Sequence, residues 1–147
     1  MPTLRYKKLV KDLPDLEIHT DGAAGIDLYC AADTLVKVLE PTLVPLGVSI
    51  EYPAGYMGIL ATRSSLPMKK GVFIPNGVGI IDSDYRGEHL LQLCALKEDV
   101  LIKKGERIAQ IVLTPVLNSV SAPIVLQESD DLNETARGTG GFGSTGH

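Results

Sequence analysis

Short apolar runs, separated by glycine and proline, make up most of the chain. Apolar positions such as Val36 and Val38 alternate with polar ones, whereas apolar residues at helical spacing are almost absent. A period of two residues is the pattern of a half-buried strand. We therefore predict strands over Leu4–Lys8, Gly25–Ala31, Leu35–Leu39, Leu43–Tyr52, Tyr56–Thr62, Val72–Ile74, Gly79–Ile81, Glu88–Leu96, Val100–Ile102 and Arg107–Leu117.

Turn signals separate these strands and leave room for little else. They are Asp21-Gly22, Glu40-Pro41, Pro53-Ala54-Gly55, Pro75-Asn76-Gly77, Arg86-Gly87 and Lys104-Gly105. Short strands with turns at intervals of roughly eight to twelve residues are typical of an all-β sandwich or barrel. The pattern allows a short helix over Ser64–Lys70, with Ser64 as its N-cap and with Pro67 and Gly71 limiting its length.

The composition is that of one globular domain. The chain has 147 residues, of which 44% are hydrophobic, and a formal net charge of −4. This acidic balance argues against a nucleic-acid-binding surface, so an anionic ligand needs locally placed cations. No apolar run approaches the length of a membrane span, and the N-terminus lacks a signal-peptide core. We expect neither nucleic acid nor membrane as a partner, and an intracellular location, cytoplasmic or nuclear.

The cysteines and histidines do not form a metal-binding pattern. Cys30 and Cys94 lie far apart in apolar surroundings and are predicted to be buried free thiols, although the sequence also permits one disulfide between them. His19, His89 and His147 are isolated, without zinc-site spacing. A solvated or structural role is predicted for each.

The C-terminal stretch is the most unusual segment. Five of the nine residues from Gly138 to Gly146 are glycine, and Arg137 precedes them. Backbone N–H groups, hydroxyls, a cation and one aromatic ring suit a polyphosphate attached to a planar base; a flexible tail is the alternative. We predict a β domain over residues 1–127 and, over 128–147, a linker and glycine-rich arm.

Four internal stretches carry candidate chemistry. Asp27 lies inside an otherwise apolar strand, where a carboxylate usually meets a cation or a donor. Arg63 begins a segment that suits either a phosphate site or an ordinary helix cap. Arg107 and Gln110 differ by three positions, so alternation points them to opposite faces of a strand unless a bulge intervenes.

The fourth stretch, residues 76–87, contains two turn signals around a short β segment. It is predicted to be a hairpin whose backbone edge reads the donors and acceptors of a planar base, with a polar hairpin tip as the alternative. Asp82 and Asp84 share one side if the strand continues, so one is expected to be functional and the other a turn residue. Tyr85 is placed to stack on a sugar.

In this order the segments resemble the five signature motifs of the homotrimeric deoxyuridine triphosphatase (dUTPase) family. The matching segments are AGIDLY (24–29), RSSL (63–66), NGVGIIDSDYRG (76–87), GERIAQI (105–111) and RGTGGFGSTG (137–146). The third and fifth are highly specific. The resemblance implies a β jelly roll that assembles as a homotrimer, with active sites between subunits and an exchanged C-terminal arm that closes each site.

The resemblance also implies the reaction. The substrate is dUTP, which water attacks in line at the α-phosphorus to give dUMP and pyrophosphate. This reaction limits uracil in DNA and supplies dUMP for thymidylate synthesis. Asp82 matches the catalytic carboxylate that orients and deprotonates the water. Asp27 matches a residue that contacts Mg²⁺ through water, while the substrate phosphates bind the metal directly.

By the same resemblance, the substrate is held at several positions. Asn76 and the backbone at Gly77 and Gly79 read the uracil edge, and Tyr85 packs on the deoxyribose. The phosphate-site and supporting positions are Arg63, Ser64, Ser65, Arg107 and Gln110. The arm adds Arg137, Phe142, Gly143, Ser144 and Thr145, with Phe142 over the uracil and Arg137, Ser144 and Thr145 at the γ-phosphate.

Three residues beside the phosphate site depart from the family pattern: Thr62, Ser65 and Pro67. They bear on phosphate affinity more than on activity. Two other functions are weighed: a regulatory or binding trimer whose arm is controlled by nucleotide, and the related dCTP deaminase branch of the fold. The intact Asp82 and Arg137 disfavour the first, and the absence of a matching Ser-Ala-Arg segment disfavours the second.

Overall fold

The computed structural model describes residues 1–117 and 123–141. This part of the chain contains eleven strands and one short helix. The strands are β1 (Arg5–Lys8), β2 (Ile26–Tyr29), β3 (Thr34–Val36), β4 (Thr42–Pro45), β5 (Val48–Glu51), β6 (Tyr56–Thr62), β7 (Val72–Phe73), β8 (Gly79–Ile81), β9 (Leu90–Ala95), β10 (Val100–Ile102) and β11 (Arg107–Pro115). Helix α1 (Ser65–Lys70) lies between β6 and β7.

The strands form four antiparallel sheets, so the predicted all-β architecture is confirmed. The largest sheet has the order β2-β11-β6-β8, and a three-stranded sheet has the order β4-β9-β7. Two-stranded ribbons of β1 with β5 and of β3 with β10 complete the described part. Hydrogen bonding does not close these sheets into a single barrel within the described residues.

One predicted strand is wrong. The segment Leu43–Tyr52 forms two strands, because Gly47 adopts a φ of 64° and turns the chain between them. The two halves then have different partners, since β4 pairs with β9 and β5 pairs with β1. By contrast, β6, β8 and β10 have the predicted bounds.

The core lies between the sheets and is almost entirely aliphatic. Its largest fully buried apolar side chains are Leu28, Leu46, Ile50, Leu60, Leu91, Leu93, Ile102, Ile108 and Ile111. Cys30 and Cys94 are buried free thiols, as predicted, and burial raises the pKa of Cys30. The longest strand pairing, β6 with β11, contributes Leu60 and Ile111 to this core and lies between β2 and β8 in the four-stranded sheet.

Helix α1 is short, as predicted, but Ser64 does not cap it through its side chain. Ser64 has helical backbone angles, which place its hydroxyl away from the first free N–H groups. Pro67 is tolerated because it lies in the first turn, where an N–H has no partner inside the helix. Gly71 ends the helix with a φ of 65° and donates its N–H to the Pro67 carbonyl over 2.9 Å.

Residues 123–139 are exposed and contain neither helix nor strand. The proposed boundary between a domain over 1–127 and an arm over 128–147 stays a prediction. In the stretches of chain that the structure describes, no helix is long and apolar enough to cross a membrane.

Candidate active site

Asp27 on β2 lies at the centre of a polar cluster that contains two arginine cations. Its carboxylate is 3.3 Å from Arg63 Nε, 3.2 Å from Arg107 Nη1 and 3.3 Å from His19 Nε2. The Asp27 side chain is only 15% exposed, so these partners replace most of its water. Two guanidinium groups against one carboxylate leave local positive charge, which suits a phosphate ligand.

A β-bulge brings Arg107 and Gln110 into this cluster. The pairing of β11 with β2 shifts between Arg107, opposite Tyr29, and Ala109, opposite Leu28. Ile108 is therefore the extra residue, and its fully buried side chain points into the core. Simple alternation would separate Arg107 from Gln110. With the bulge, Arg107 reaches Asp27, and Gln110 pairs directly with Asp27 across the strands.

Gln110 is fixed by its neighbours on both sides. Its Nε2 donates to the Thr62 carbonyl over 3.1 Å. A Cβ at Gly25 would lie 2.7 Å from Gln110 Oε1, so glycine makes room for the amide there. These contacts link the first and fourth sequence segments to Thr62, which directly precedes the second segment.

The second segment is also tied to the bulge through its backbone. Arg63 donates its N–H to the carbonyl of Ile108, the extra residue, over 3.1 Å. Leu66, which is buried, anchors the first turn of α1. Ser64 is exposed and Ser65 half-buried, and both follow Arg63 directly at the edge of the cation cluster.

The candidate base-reading segment is an edge strand, so the predicted hairpin is wrong. The two predicted turns do bracket β8, but β8 pairs with β6 and not with β7, which pairs with β9. In the described chain, no strand pairs with the other edge of β8. The backbone groups of that edge are available to a planar base in the way that a hairpin edge would be.

The turn before β8 is shaped by Asn76 and Gly77. Asn76 Nδ2 donates to the Val78 carbonyl over 3.2 Å, and Gly77 has a φ of 80° that favours glycine. A Cβ at Gly79 would lie 3.1 Å from the Leu60 side chain on β6. Small residues thus keep the backbone compact where β8 begins.

Asp82 and Tyr85 lie in the turn that follows β8. The strand ends at Ile81, and the Tyr85 N–H donates to the Asp82 carbonyl over 3.2 Å. Both side chains are exposed, and both line a cavity of about 190 Å³ whose wall includes His89. Asp84 lies in the same turn but not in the lining of this cavity. Of the two carboxylates, Asp82 is the one placed to act in the cavity.

The site residues therefore fall into two groups on one chain. We name Asp27, Arg63, Arg107 and Gln110, at the β2 edge of the four-stranded sheet, the candidate phosphate cluster. We name Asn76, Gly77, Gly79, Asp82 and Tyr85, at the β8 edge, the candidate base cluster. With three interstrand steps between the edges and an offset of about four residues along the strands, Asp27 and Asp82 are roughly 20 Å apart.

The described part of the arm, residues 128–141, makes local contacts. Arg137 closes a local turn by donating Nε to the Gly140 carbonyl over 3.0 Å. The predicted positions Phe142, Gly143, Ser144 and Thr145 lie outside the described residues.

Two histidines were not predicted to belong to the site. His19 contacts Asp27 from a loop, and no local pattern in the sequence indicates this. His89 is fully buried behind Tyr85. It lies an even number of positions before Leu91, Leu93 and Ala95, which are buried on β9. The alternation of strand side chains could therefore have indicated that His89 is buried too.

Comparisons with known proteins agree with this fold. The dUTPase family model matches residues 11–146. A deoxyuridine 5′-triphosphate nucleotidohydrolase of Hydrogenobaculum sp. is 45% identical over 97% of both chains. One of Paramecium bursaria Chlorella virus 1 is 41% identical over 99% of both chains. The solved Staphylococcus bacteriophage 80alpha dUTPase, with dUPNHPP, is 25% identical, covers 99% of both chains and gives a TM-score of 0.85.

The fold and these matches define a nucleotide hydrolase with a jelly-roll fold, which confirms the predicted fold class and enzyme class. The chain belongs to the dUTPase family.

Proposed function

We propose that the chain hydrolyses dUTP to dUMP and pyrophosphate, by attack of a water molecule on the α-phosphorus. The observation that carries this proposal is the pairing of two complementary groups: a cation cluster for phosphate and an edge strand for a base. Relatives named as deoxyuridine 5′-triphosphate nucleotidohydrolases, and a related phage dUTPase with dUPNHPP, support it. In a cell the reaction would limit uracil in DNA and supply dUMP for thymidylate synthesis.

The base is selected by the backbone of β8 and the turn before it. Asn76 and the peptide groups at Gly77 and Gly79 present donors and acceptors to the uracil edge. Their compactness leaves little room for a methyl group at C5, so thymine is excluded. The sugar is selected by Tyr85, whose exposed ring packs on deoxyribose where a ribose 2′-hydroxyl would clash.

Asp82 acts as the general base. Its exposed carboxylate lines the cavity beside Tyr85, where it accepts a hydrogen bond from the attacking water and takes its proton. Arg63, Arg107 and Gln110 hold the phosphates, with Ser64 and Ser65 beside them. Arg63 and Arg107 stabilise the negative charge that develops on the phosphate oxygens and on the leaving pyrophosphate.

The donor set at Asp27 fits a magnesium ion bound through the substrate. One carboxylate already engaged by cations is a poor direct ligand, but it can accept hydrogen bonds from water molecules of a hydrated ion. In the described residues no group of three or more His, Cys, Asp or Glu side chains could hold a metal by itself. When bound, Mg²⁺ supplies charge neutralisation on the triphosphate.

The active site is completed between copies of the chain in a homotrimer. The support is the separation of Asp27 from Asp82, because carboxylates roughly 20 Å apart cannot both act on the triphosphate of one substrate molecule. Arrangement around a threefold axis would bring the candidate phosphate cluster of one subunit to the candidate base cluster of the next. The arm over 128–147 closes the site, with Arg137, Ser144 and Thr145 at the γ-phosphate, Phe142 over the uracil and Gly143 between them.

Nucleotide specificity tests the reaction itself. Pyrophosphate release is measured with Mg²⁺ on dUTP, dTTP, dCTP and UTP. We expect turnover of dUTP with kcat/KM far above the other three. Comparable turnover of all four would contradict the assignment of β8 and Tyr85 as the selecting elements.

Subunit complementation tests the shared site. Asp82→Asn and Arg107→Ala variants are each expected to retain at most about one tenth of wild-type activity alone. After mixing in equal amounts, unfolding and refolding together, about one quarter of the sites combine an intact Asp82 with an intact Arg107 from different subunits. Recovery of about one quarter of wild-type activity supports a shared site. No recovery from refolded trimers would place the whole site on one chain.

A further inference from the structure

Three aromatic rings are in contact in a row that leads from the core to the candidate base cluster. The side chain of His89 is fully buried. Its Nε2 lies 2.7 Å from the hydroxyl of Tyr52. On its other side the ring of Tyr85 meets it edge-on, with centroids 5.8 Å apart and planes at 62°. We refer to Tyr52, His89 and Tyr85 as the ring stack.

Two glycines make room for the ends of the ring stack. A Cβ at Gly87 would lie 2.6 Å from Tyr85 Cζ, and a Cβ at Gly58 would lie 2.6 Å from Tyr52 Cζ. No real Cβ approaches an atom so closely, so both tyrosines depend on these glycines. The Tyr85 hydroxyl then donates to the Glu88 carbonyl over 2.9 Å, which fixes the outer end of the stack.

Burying the polar imidazole of His89 costs free energy at this position. The alternation of β9 places it on the core face, where an aliphatic side chain would pack without polar atoms. Burial lowers the pKa of His89 and keeps the ring neutral. Among the described residues no group forms a hydrogen bond with its Nδ1. Such a cost indicates that the imidazole serves something other than core stability.

The cavity at Asp82 indicates which role the imidazole has. His89 contributes to its wall together with Asp82 and Tyr85, although it is not itself exposed. Tyr85 is 42% exposed, and its side chain contacts the ring of His89, the Glu88 carbonyl and the backbone at Gly87. The orientation of the Tyr85 ring therefore depends on the position of the imidazole, which Tyr52 fixes in turn.

We propose that His89 is a positioning residue for sugar selection, because it holds Tyr85 at the orientation that accepts deoxyribose and excludes ribose. This inference rests on the proposed function, in which Tyr85 contacts the sugar. His89 touches neither substrate nor water and acts through Tyr85. Tyr52 acts one step further away, by holding Nε2 of His89.

Three variants probe the ring stack from different sides. His89→Leu introduces an apolar side chain of similar volume and removes the imidazole ring. Tyr52→Phe keeps its ring and removes the hydroxyl that holds the imidazole. Gly87→Ala introduces a Cβ that displaces Tyr85 directly. Leu93→Val is the matched control, since it perturbs the same strand from a fully buried position that does not line the cavity.

The measurement is kcat/KM for dUTP divided by kcat/KM for UTP, together with the melting temperature. Loss of one aromatic edge contact should lower this ratio by roughly 3- to 10-fold in His89→Leu and by a smaller factor in Tyr52→Phe. Gly87→Ala should lower the ratio too. Leu93→Val should lower the melting temperature and leave the ratio unchanged, because destabilisation alone reduces both activities equally.

The possible results separate the two proposals. A wild-type protein that does not prefer dUTP to UTP contradicts the proposed function, and this inference with it. A wild-type protein that prefers dUTP, with an unchanged ratio in folded His89→Leu, overturns the inference alone. If His89→Leu does not fold, Tyr52→Phe decides: a lowered ratio supports the role of His89, and an unchanged ratio overturns it.

Discussion

Arg107 donates to Asp27 across neighbouring strands because β11 carries one more residue than β2 in this region. The extra residue is Ile108, and it places Arg107 3.2 Å from the Asp27 carboxylate. Without it, Arg107 and Gln110 would point to opposite faces of the sheet. A single bulge thus brings together the residues of the candidate phosphate cluster, as bulges often do when they redirect a side chain.

Replacing Arg107 should impair catalysis without unfolding the protein. The Arg107 side chain is 43% exposed, so Arg107→Ala should change the melting temperature little. Loss of a charge-assisted bond to phosphate should lower kcat/KM for dUTP by roughly 10- to 100-fold. Arg107→Lys should recover only part of it, since an ammonium group lacks the planar fork. Steady-state pyrophosphate release measures both.

Arg5 offers a matched control for this experiment. It forms an exposed ion pair with Glu51 between β1 and β5 and takes no part in the Asp27 cluster. Arg5→Ala should therefore leave kcat/KM unchanged. An equal loss in Arg5→Ala and Arg107→Ala would mean that the effect comes from the change in net charge of the protein and not from the candidate phosphate cluster.

Alternation in the sequence predicted much of the fold, but not the contacts of Asp27. Strands β6, β8 and β10 follow from apolar positions at a spacing of two, which depends only on neighbours in the chain. Asp27 and Arg107 are separated by 80 residues, and they meet only after β2 and β11 pair. The resemblance to the dUTPase family named both residues, whereas local spacing gave no sign that they meet and argued against the joint use of Arg107 and Gln110.

The error at β8 has a similar cause. Turn residues such as Asn76 and Gly77 determine where the chain reverses, and they did so correctly. They do not determine which strand becomes the partner. β8 pairs with β6, whose Gly58 and Leu60 face Ile81 and Gly79, because that register completes the four-stranded sheet.

Asp82→Asn should remove turnover and keep nucleotide binding. The substitution preserves shape but takes away the proton acceptor, so kcat should fall by at least about 100-fold. Calorimetric binding of dUTP should retain wild-type affinity within a few-fold, because the edge of β8 and the cations are unchanged. Asp84→Asn, in the same exposed turn, should keep full activity. An active Asp82→Asn variant would refute the general-base role.

His89 should make the folded protein sensitive to acid. Burial lowers the pKa of His89 when the chain is folded, whereas in the unfolded chain it is about 6.5. Below about pH 6.5 the unfolded state therefore binds more protons than the folded state. As the pH is lowered further, the free energy of unfolding decreases by up to about 1.4 kcal/mol per pH unit, until the pKa of the folded state is reached. Above about pH 6.5 the contribution of His89 is constant.

Urea unfolding of wild type and His89→Leu, at matched protein concentration between pH 5 and 8, isolates this effect. The difference in free energy of unfolding should be constant above about pH 6.5 and should shift in favour of the variant below it. A difference that does not change with pH would show that His89 is protonated equally in the folded and unfolded chains.

Truncation after Asn133 should leave a folded protein that hydrolyses dUTP very poorly. Residues 123–139 are exposed and carry no strand or helix, so their loss removes none of the buried side chains named above. The truncation does remove Arg137 and the glycine-rich stretch that the proposed mechanism places on the γ-phosphate and uracil. Full-length Arg137→Ala should lose a smaller part of the activity. Circular dichroism and pyrophosphate release test both: full activity after truncation would exclude the arm from the site, and loss of the fold would contradict the domain boundary at residue 127.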